Sequence, residues 1–295
     1  MRVLLTGSGG QVGRALATTL SSFGTVIATD RPSLDLAFPN QIRARVTAMR
    51  PDLIVNAAAY TDVERAELEE EAAVAINGVS VGELAAAARE LQVPLIHYST
   101  DYVFDGTKTS PYTEDDQAAP LSAYGRSKLD GEQRIRSSGC AHLILRTSWV
   151  YAEAGRNFLT TMLRLAAERE ELRVVDDQFG APTFAGFIAA ATARIIEQIT
   201  SSEAARRRLD DGDTVHLVNG GATNWFGFAS AIFESDSVRE RVRKPRLVPI
   251  KSSEFPTRAR RPANSRLSSE RARSSWKLQI PDWRESLAVC LSQLR

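Results

Sequence analysis

The sequence has few of the residues that would build a disulfide framework, a metal site or a membrane span. Its 295 residues include two Cys and three His, and no apolar run approaches the roughly 18 residues that a membrane helix needs. Cys140 and Cys290 have no metal-ligand spacing, so a reducing cytoplasm is expected. The opening stretch MRVLLTGSGG turns glycine-rich after three apolar residues, which favours a strand and turn over a signal peptide.

The histidines and the composition carry no functional signal of their own. His97, His142 and His216 lie in separate apolar, strand-like runs, so we interpret them as core or strand-end residues without a chemical role. Hydrophobic residues make up 43% and charged residues 25% of the chain, which is ordinary for a globular protein.

A net charge of +1 conceals one strongly basic segment. Between Arg239 and Arg273 there are twelve Lys or Arg against three Glu, interrupted by prolines 245, 249, 256 and 262. The segment lacks the pattern of a nucleic-acid recognition helix. We therefore expect it to bind an anionic small molecule, with a merely solvated surface as the alternative, and we expect neither a nucleic-acid nor a membrane partner.

Apolar strand-like runs alternate with helical stretches through the first half of the chain. This spacing predicts an α/β fold with a Rossmann-type, doubly wound parallel sheet. The runs are VLLT (3–6), TVIATD (25–30), LIVNAAA (53–59), PLIHYST (94–100), the helix SAYGRSKLDGEQRIRS (122–137) and HLILRTSW (142–149).

The rhythm changes after Trp149, which predicts a second, smaller region. We expect a dinucleotide-binding domain over 1–150, completed by about 183–222. A partly interleaved α/β substrate-binding domain would comprise 151–182 and 223–295. The proline-punctuated tail after residue 236 is expected to be irregular.

A glycine-rich turn follows the first predicted strand. TGSGGQVG (6–13) places Gly7, Gly10 and Gly13 between that strand and an amphipathic helix. Glycines let the backbone approach a pyrophosphate whose charge then lies at the helix N-terminus. Asp30, at the end of the second strand, could hold an adenosine ribose as in NAD sites, whereas the adjacent Arg31 could bind the extra phosphate of NADP. We expect a dinucleotide here and favour NADPH, with NADH possible.

Three polar residues are expected around the nicotinamide. Thr100 closes the strand PLIHYST, and Tyr124 and Lys128 follow one helical turn apart. A lone Tyr-x-x-x-Lys is common on helix surfaces, but ligands gather at the carboxyl ends of parallel strands, where all three would meet. Reducing a ketone needs a hydride on carbon and a proton on oxygen, and a cation near a tyrosine lowers its pKa toward the working range. Tyr124 is therefore the expected proton donor.

The chain resembles the extended short-chain dehydrogenase/reductases and, within them, the dTDP-4-dehydrorhamnose reductase family. The resemblance covers positions 7 to 267. It is carried by GSGGQVG, PDLIVNAAAYTDVERAE, HYSTDYVFDG, PLSAYGRSKLDGE, LRTSWVYA, RNFLTTMLRLA, DDQFGAPT and ARRPANSRL.

This resemblance implies reduction of dTDP-4-dehydro-β-L-rhamnose at C4 to dTDP-β-L-rhamnose, a precursor of cell-surface polysaccharide. It implies catalysis by Thr100, Tyr124 and Lys128. The implied cofactor site comprises Gly7, Gly10, Gln11, Val12, Gly13, Asp30, Arg31, Asp35, Leu36, Ala59, Tyr60, Thr61, Tyr98, Tyr124 and Lys128. The implied substrate site comprises Thr100 and Asp101 at the sugar, Trp149 against the sugar ring, and Arg260 and Arg261 at the diphosphate.

One departure concerns a magnesium-clamped dimer, which some family members are described as forming through carboxylates. The first helix, QVGRALATTLSS, has no acidic residue, and PTFAGFIAAATARII has none before Glu197. We therefore predict no metal ligand and a monomer or weak homodimer, and leave any Mg²⁺ requirement open.

Two other functions remain as alternatives. One is another nucleotide-sugar epimerase or dehydratase; against a dehydratase, Asp101-Tyr102 follows Thr100 where such enzymes usually carry an Asp-Glu pair. The other is a non-catalytic, dinucleotide-binding regulatory subunit, which the intact Thr100, Tyr124 and Lys128 disfavour.

Overall fold

The computed structural model describes residues 1–294, in which strands and helices alternate. The strands are β1 (Arg2–Thr6), β2 (Thr25–Thr29), β3 (Leu53–Asn56), β4 (Leu95–Thr100), β5 (His142–Thr147), β6 (Val150–Tyr151), β7 (Glu171–Val175), β8 (Phe179–Gly180), β9 (Thr183–Phe184), β10 (Asp213–His216), β11 (Thr223–Asn224) and β12 (Arg246–Ile250). The helices are α1 (Gln11–Leu20), α2 (Pro39–Met49), α3 (Val63–Ala66), α4 (Glu70–Val74), α5 (Ser80–Leu91), α6 (Ala123–Ser138), α7 (Phe158–Glu168), α8 (Ala185–Ser201), α9 (Glu203–Asp211), α10 (Trp225–Glu234), α11 (Asp236–Arg239), α12 (Glu270–Ser274) and α13 (Trp283–Ser292). Short 3-10 turns span Ser21–Phe23, Asp101–Val103 and Ser252–Glu254, and a π-helical turn spans Ala75–Val79.

Six strands form one parallel sheet in the order β2-β1-β3-β4-β5-β10. Parallel pairing brings all the carboxyl ends to the same edge, where Thr6 lies opposite Thr29 and Asn56, and Thr100 opposite Thr147. The polar ends of these otherwise apolar strands therefore lie side by side, which is where an open α/β sheet binds its ligands.

Both faces of the sheet are covered. Along β1, Val3 and Leu5 pack into the same apolar cluster as Leu16 of α1 and Ile188 of α8, while Leu4 points to the cluster on the opposite face. Successive side chains of a strand alternate between faces, so a strand covered on both sides must be apolar throughout. The predicted fold class, a doubly wound parallel sheet with a smaller α/β region, is confirmed.

The later segments build a second apolar core beside the sheet. β7 pairs in parallel with β12, and short strands pair as β6 with β9 and β8 with β11. Phe228 and Phe233 of α10 and Trp283 of α13 are fully buried in this core. It lies at the end of the sheet that carries Trp149 and so supplies the second wall of the site.

The expectation that the tail after residue 236 is irregular was wrong in part. It contains the strand β12 and the helix α13. β12 includes Pro249, which cannot donate a backbone hydrogen bond, but a strand in a two-stranded sheet has one free edge that tolerates proline. Pro249 therefore lies in an edge strand and does not mark an irregular segment.

Candidate active site

A cavity of about 810 Å³ lies at the carboxyl ends of the sheet strands. Most of the predicted site residues line it, namely Gly7, Gly10, Gln11, Val12, Asp30, Arg31, Asp35, Leu36, Ala59, Thr61, Tyr98, Thr100, Asp101, Tyr124, Lys128, Trp149 and Arg261. Three predicted residues do not line it: Gly13, Tyr60 and Arg260.

The glycine turn forms the floor of one end of the cavity. Gly7 has φ +70°, and a Cβ there would lie 2.6 Å from the backbone of Ala58. A Cβ at Gly13 would overlap the carbonyl oxygen of Gly7, so Gly13 permits close packing of helix and turn instead of facing the cavity. Gly10 is the N-cap residue of α1, and no side chain caps this end of the helix. Since the first N–H groups of a helix have no partner within it, this end fits a pyrophosphate.

Charged residues of both signs surround the next part of the cavity. Asp30 follows β2, is exposed, and accepts a hydrogen bond of 2.9 Å from the Ser33 hydroxyl. Arg31 is also exposed, and Arg14 of α1, which the sequence did not suggest, lines the same cavity. Two arginines therefore line the cavity together with Asp30, and guanidinium groups are suited to hold an additional phosphate.

Thr100 and Tyr124 meet in the middle of the cavity. The Thr100 hydroxyl donates to Asp101 Oδ1 at 3.0 Å and accepts from the Tyr102 amide at 3.2 Å. Tyr124 lies in the first turn of α6, whose N-terminus is capped by the Ser122 side chain. Burial raises the pKa of the Tyr124 phenol to about 12, although its hydrogen bond with Thr100 acts in the lowering direction. The phenol is therefore protonated at neutral pH, as a proton donor must be.

Lys128 is 2% exposed and is held by β4 instead of by Tyr124. Its Nζ donates to the Tyr98 carbonyl oxygen at 2.7 Å and lies 3.2 Å from Nε2 of His97. Burial lowers the pKa of Lys128 to about 8, against the opposing attraction of Glu132. The ammonium is thus a much stronger acid than an ordinary lysine.

Asp101 is a buried carboxyl group on the cavity wall. Burial raises its pKa to about 7, partly offset by polar neighbours that include the Thr100 hydroxyl, which donates to Oδ1. Its Oδ2 is buried without a hydrogen-bond partner within residues 1–294. A carboxyl in this state can exchange hydrogen bonds with a ligand hydroxyl as either donor or acceptor.

Trp149 forms an aromatic wall together with Trp225. The two indoles stack at 3.5 Å with an angle of 6° between their planes, and both line the cavity. Trp149 has φ +46°, a backbone conformation uncommon for a non-glycine residue, and a Cβ at Gly180 would collide with its ring. The packing of Trp225 and Gly180 against its ring therefore holds Trp149 in a backbone conformation that is otherwise disfavoured, in the same cavity as Thr100 and Tyr124.

The two adjacent arginines of the tail differ in their surroundings. The Arg261 guanidinium lines the cavity and pairs with Glu64 at 2.9 Å, with its Nε buried and unpartnered in the described part of the chain. Arg260 is exposed. Tyr60 also points away from the cavity, since its hydroxyl donates to Glu69 at 2.8 Å.

Several residues of the site were missed by sequence reasoning. Arg14, Tyr102, Arg156 and Trp225 line the cavity, and His97 contacts Lys128. Trp225 begins a helix about 75 residues beyond Trp149, and only the fold brings the two together. His97 lies three positions before Thr100 on the same strand, a proximity that could have drawn attention to it.

The doubly wound sheet, the glycine turn at its carboxyl edge and the Thr-Tyr-Lys group in one cavity define a nicotinamide-dependent oxidoreductase of the extended short-chain type. Comparison with known proteins narrows this class. The family model described as the RmlD substrate binding domain matches residues 1–295.

Named relatives are similar to this chain over its full length. The chain is 45% identical to the dTDP-4-dehydrorhamnose reductase of Burkholderia thailandensis, covering 100% of this chain and 99% of the relative. It is 44% identical to the Escherichia coli K12 enzyme of the same name, covering 100% and 98%. The crystal structure of Bacillus anthracis dTDP-4-dehydrorhamnose reductase in complex with NADP is similar with a TM-score of 0.88 and 34% identity, over 99% of each chain.

The chain belongs to the dTDP-4-dehydrorhamnose reductase family and is an NAD(P)H-dependent oxidoreductase. The predicted family and enzyme class are confirmed, in preference to an epimerase, a dehydratase or a regulatory subunit. Among the described residues 1–294, the helices lack the combination of length and apolar character that a bilayer-spanning segment requires. The same residues hold no group of three or more His, Cys, Asp and Glu suited to a metal ion.

Proposed function

We propose that this protein reduces the C4 ketone of dTDP-4-dehydro-β-L-rhamnose to dTDP-β-L-rhamnose, using NADPH in preference to NADH. The observation that carries the proposal is the convergence of Thr100, Tyr124 and Lys128 on the cavity that contains the glycine turn. Full-length similarity to enzymes named for this reaction supports the identity of the sugar.

The chemistry follows from the protonation states of the site. The nicotinamide, when bound, supplies the hydride that attacks C4 of the sugar. Thr100 hydrogen-bonds the ketone oxygen, and Tyr124 transfers its proton to that oxygen as negative charge develops there. Lys128, whose pKa of about 8 lies below the value of about 12 for Tyr124, can return a proton to the tyrosinate in a downhill step.

The other walls of the cavity account for a nucleotide-sugar substrate. Arg261 is the proposed ligand of the diphosphate, because guanidinium groups pair with phosphate oxygens through two parallel hydrogen bonds. Trp149 packs against the sugar ring, and Asp101 binds a sugar hydroxyl. Arg260, being exposed, has no place in this substrate site.

The cofactor preference rests on the charges that follow β2. Arg31, supported by Arg14, binds the 2′-phosphate of NADPH, whereas Asp30 accepts the ribose hydroxyl of NADH. NADH is then a usable but weaker cofactor. The NADP bound to the similar Bacillus anthracis enzyme is in line with this preference.

The proposed division of the chain follows the two cores. Residues 1–150 with about 183–222 form the dinucleotide-binding domain, since α8 and β10 complete the main sheet layer. Residues 151–182 and 223–295 form the substrate-binding region. We further propose a cytoplasmic monomer or weak homodimer, supported by two unpaired cysteines, Cys140 and Cys290, and by a first helix without acidic residues.

The test uses enzymatically generated dTDP-4-dehydrorhamnose and follows cofactor absorbance. Wild-type enzyme should consume NADPH stoichiometrically with the keto sugar, while Tyr124→Phe should lose about 10²- to 10⁴-fold in kcat with nearly unchanged NADPH affinity. If the enzyme consumed NADPH with a UDP-linked 4-keto sugar at the same efficiency, the assignment of dTDP as the nucleotide would be wrong. Near-wild-type turnover by Tyr124→Phe would show that Tyr124 is not the proton donor.

A further inference from the structure

A buried histidine joins the catalytic lysine to the centre of the sheet. His97 of β4 is 0% exposed and lies between two polar side chains. Its Nδ1 is 2.9 Å from Nδ2 of Asn56, and its Nε2 is 3.2 Å from Nζ of Lys128. The other histidines, His142 and His216, have no contact with the catalytic residues among the hydrogen bonds of residues 1–294.

The orientation of the Asn56 amide is fixed by its other contacts. Its Oδ1 accepts the backbone N–H of Ala58 at 3.1 Å and the hydroxyl of Thr6 at 2.5 Å. A backbone N–H can only donate, so the amide oxygen must face Ala58. The NH₂ group of Asn56 is thereby directed at His97.

This contact determines which ring nitrogen of His97 carries the proton. Because the Asn56 amide donates to Nδ1, Nδ1 must offer its lone pair, and the proton of a neutral ring lies on Nε2. The Nε2–H then points at Nζ of Lys128. An ammonium group has three donors and no acceptor, so this contact is favourable only when the lysine is an uncharged amine.

We propose that His97 is a positioning residue for the reductase reaction: Asn56 holds it with its proton on Nε2, and that N–H favours the uncharged Lys128 amine and so makes Lys128 a readier proton donor to Tyr124. The inference deepens the proposed function, on which its kinetic part rests. Each reduction removes one proton from the Tyr124 phenol. Lys128 restores it by breaking an N–H bond, the proton passing through the cavity that both side chains line. The free amine then accepts the Nε2–H of His97 until it takes up a proton from solvent.

The other groups around this pair are compatible with that assignment. Burial and the Lys128 charge hold the pKa of His97 well below its ordinary value, so the ring stays neutral. Glu132, one turn beyond Lys128, favours the ammonium, but its carboxylate is already paired with Arg146 at 2.7 Å. The Tyr98 carbonyl accepts from Nζ, and the other titratable groups that line the cavity with Lys128 include the Tyr124 phenol and the Asp101 carboxyl.

The tautomer can be read without any assay of activity. The chain has only three histidines, so long-range proton–nitrogen spectra of ¹⁵N-histidine-labelled enzyme at neutral pH can assign each ring. The expected result for His97 is a protonated Nε2 and an unprotonated Nδ1. A protonated Nδ1 would overturn the inference, whether or not the enzyme acts on the proposed sugar.

The kinetic test compares pH profiles of kcat for ketone reduction. Activity should fall as pH rises through the pKa of Lys128, because the proton source is then lost. In His97→Gln the amide oxygen can accept from the ammonium, so this basic limb should move up by about one to two pH units. His142→Gln is the matched control, a buried histidine of the neighbouring strand, and should leave the profile unchanged.

A second variant keeps the inference testable if His97→Gln does not fold. Asn56→Asp retains the acceptor for Ala58 but requires a proton on Nδ1 of His97, which leaves Nε2 free to accept from Lys128. The basic limb should again move up, and the nitrogen spectra should show the exchanged tautomer. An unshifted profile in a folded variant would refute the role of His97; absence of turnover by the wild type would instead refute the proposed function.

Discussion

The neighbouring arginines of the tail provide a sharp test of the substrate site. Arg261→Ala removes a cavity-lining guanidinium that is 27% exposed, whereas Arg260→Ala removes an exposed one of identical chemistry. A hydrogen bond to a charged group contributes about 1.5–3 kcal/mol, which corresponds to roughly ten- to a hundredfold in affinity. The loss in Arg261→Ala should reach this range, because Glu64 then faces the diphosphate without its partner.

The measurement is calorimetric titration of each variant with dTDP and, separately, with NADPH. Arg261→Ala should lose dTDP affinity and retain NADPH affinity, since the cofactor pyrophosphate is assigned to the glycine turn at Gly7 and Gly10. Arg260→Ala should bind both ligands like the wild type. Unchanged dTDP affinity in Arg261→Ala, or an equal loss in both variants, would refute the assignment of the diphosphate.

Three further outcomes are expected. Arg31→Ala should raise KM for NADPH much more than for NADH, and equal effects in steady-state kinetics would place Arg31 elsewhere. Lys128→Met should lower kcat and weaken cofactor binding together; normal binding by fluorescence titration would exclude a cofactor contact. Burial raises the pKa of Asp101 from 3.8 to about 7. The contribution of this carboxyl to the free energy of unfolding is therefore fully present below pH 3.8 and is lost as pH rises through 7, by up to about 4 kcal/mol. Asp101→Asn should abolish this dependence in denaturant titrations at pH 5 and pH 8.

The sheet was predictable from sequence because its strands are covered on both faces. Continuous apolar runs mark β1, β3, β4 and β5 within one to three residues of their observed bounds. β12 was not predictable by the same reasoning, because it contains Pro249 and lies in a basic, proline-punctuated segment. β12 is held in position by pairing with β7, about 75 residues earlier in the chain, and such a long-range contact produces no local sequence pattern.

The site was predictable where chain order alone brings residues together. Thr100, Tyr124 and Lys128 follow from a strand end and the next helix, and the cavity contains all three. Which of two adjacent arginines faces the cavity depends on backbone direction in an irregular segment, so both seemed equivalent. The contact of His97 with Lys128 depends on a polar network inside the sheet, and buried polar pairs have no sequence periodicity.

The most direct test of the reductase assignment follows the hydride itself. Wild-type enzyme is supplied with NADPH deuterated at C4 of the nicotinamide and with dTDP-4-dehydrorhamnose, and the product sugar is examined by NMR and mass spectrometry. The account predicts dTDP-rhamnose with one deuterium at C4, formed at a rate that falls about 10²- to 10⁴-fold in Tyr124→Phe. Deuterium at another carbon, or a product without deuterium, would contradict it.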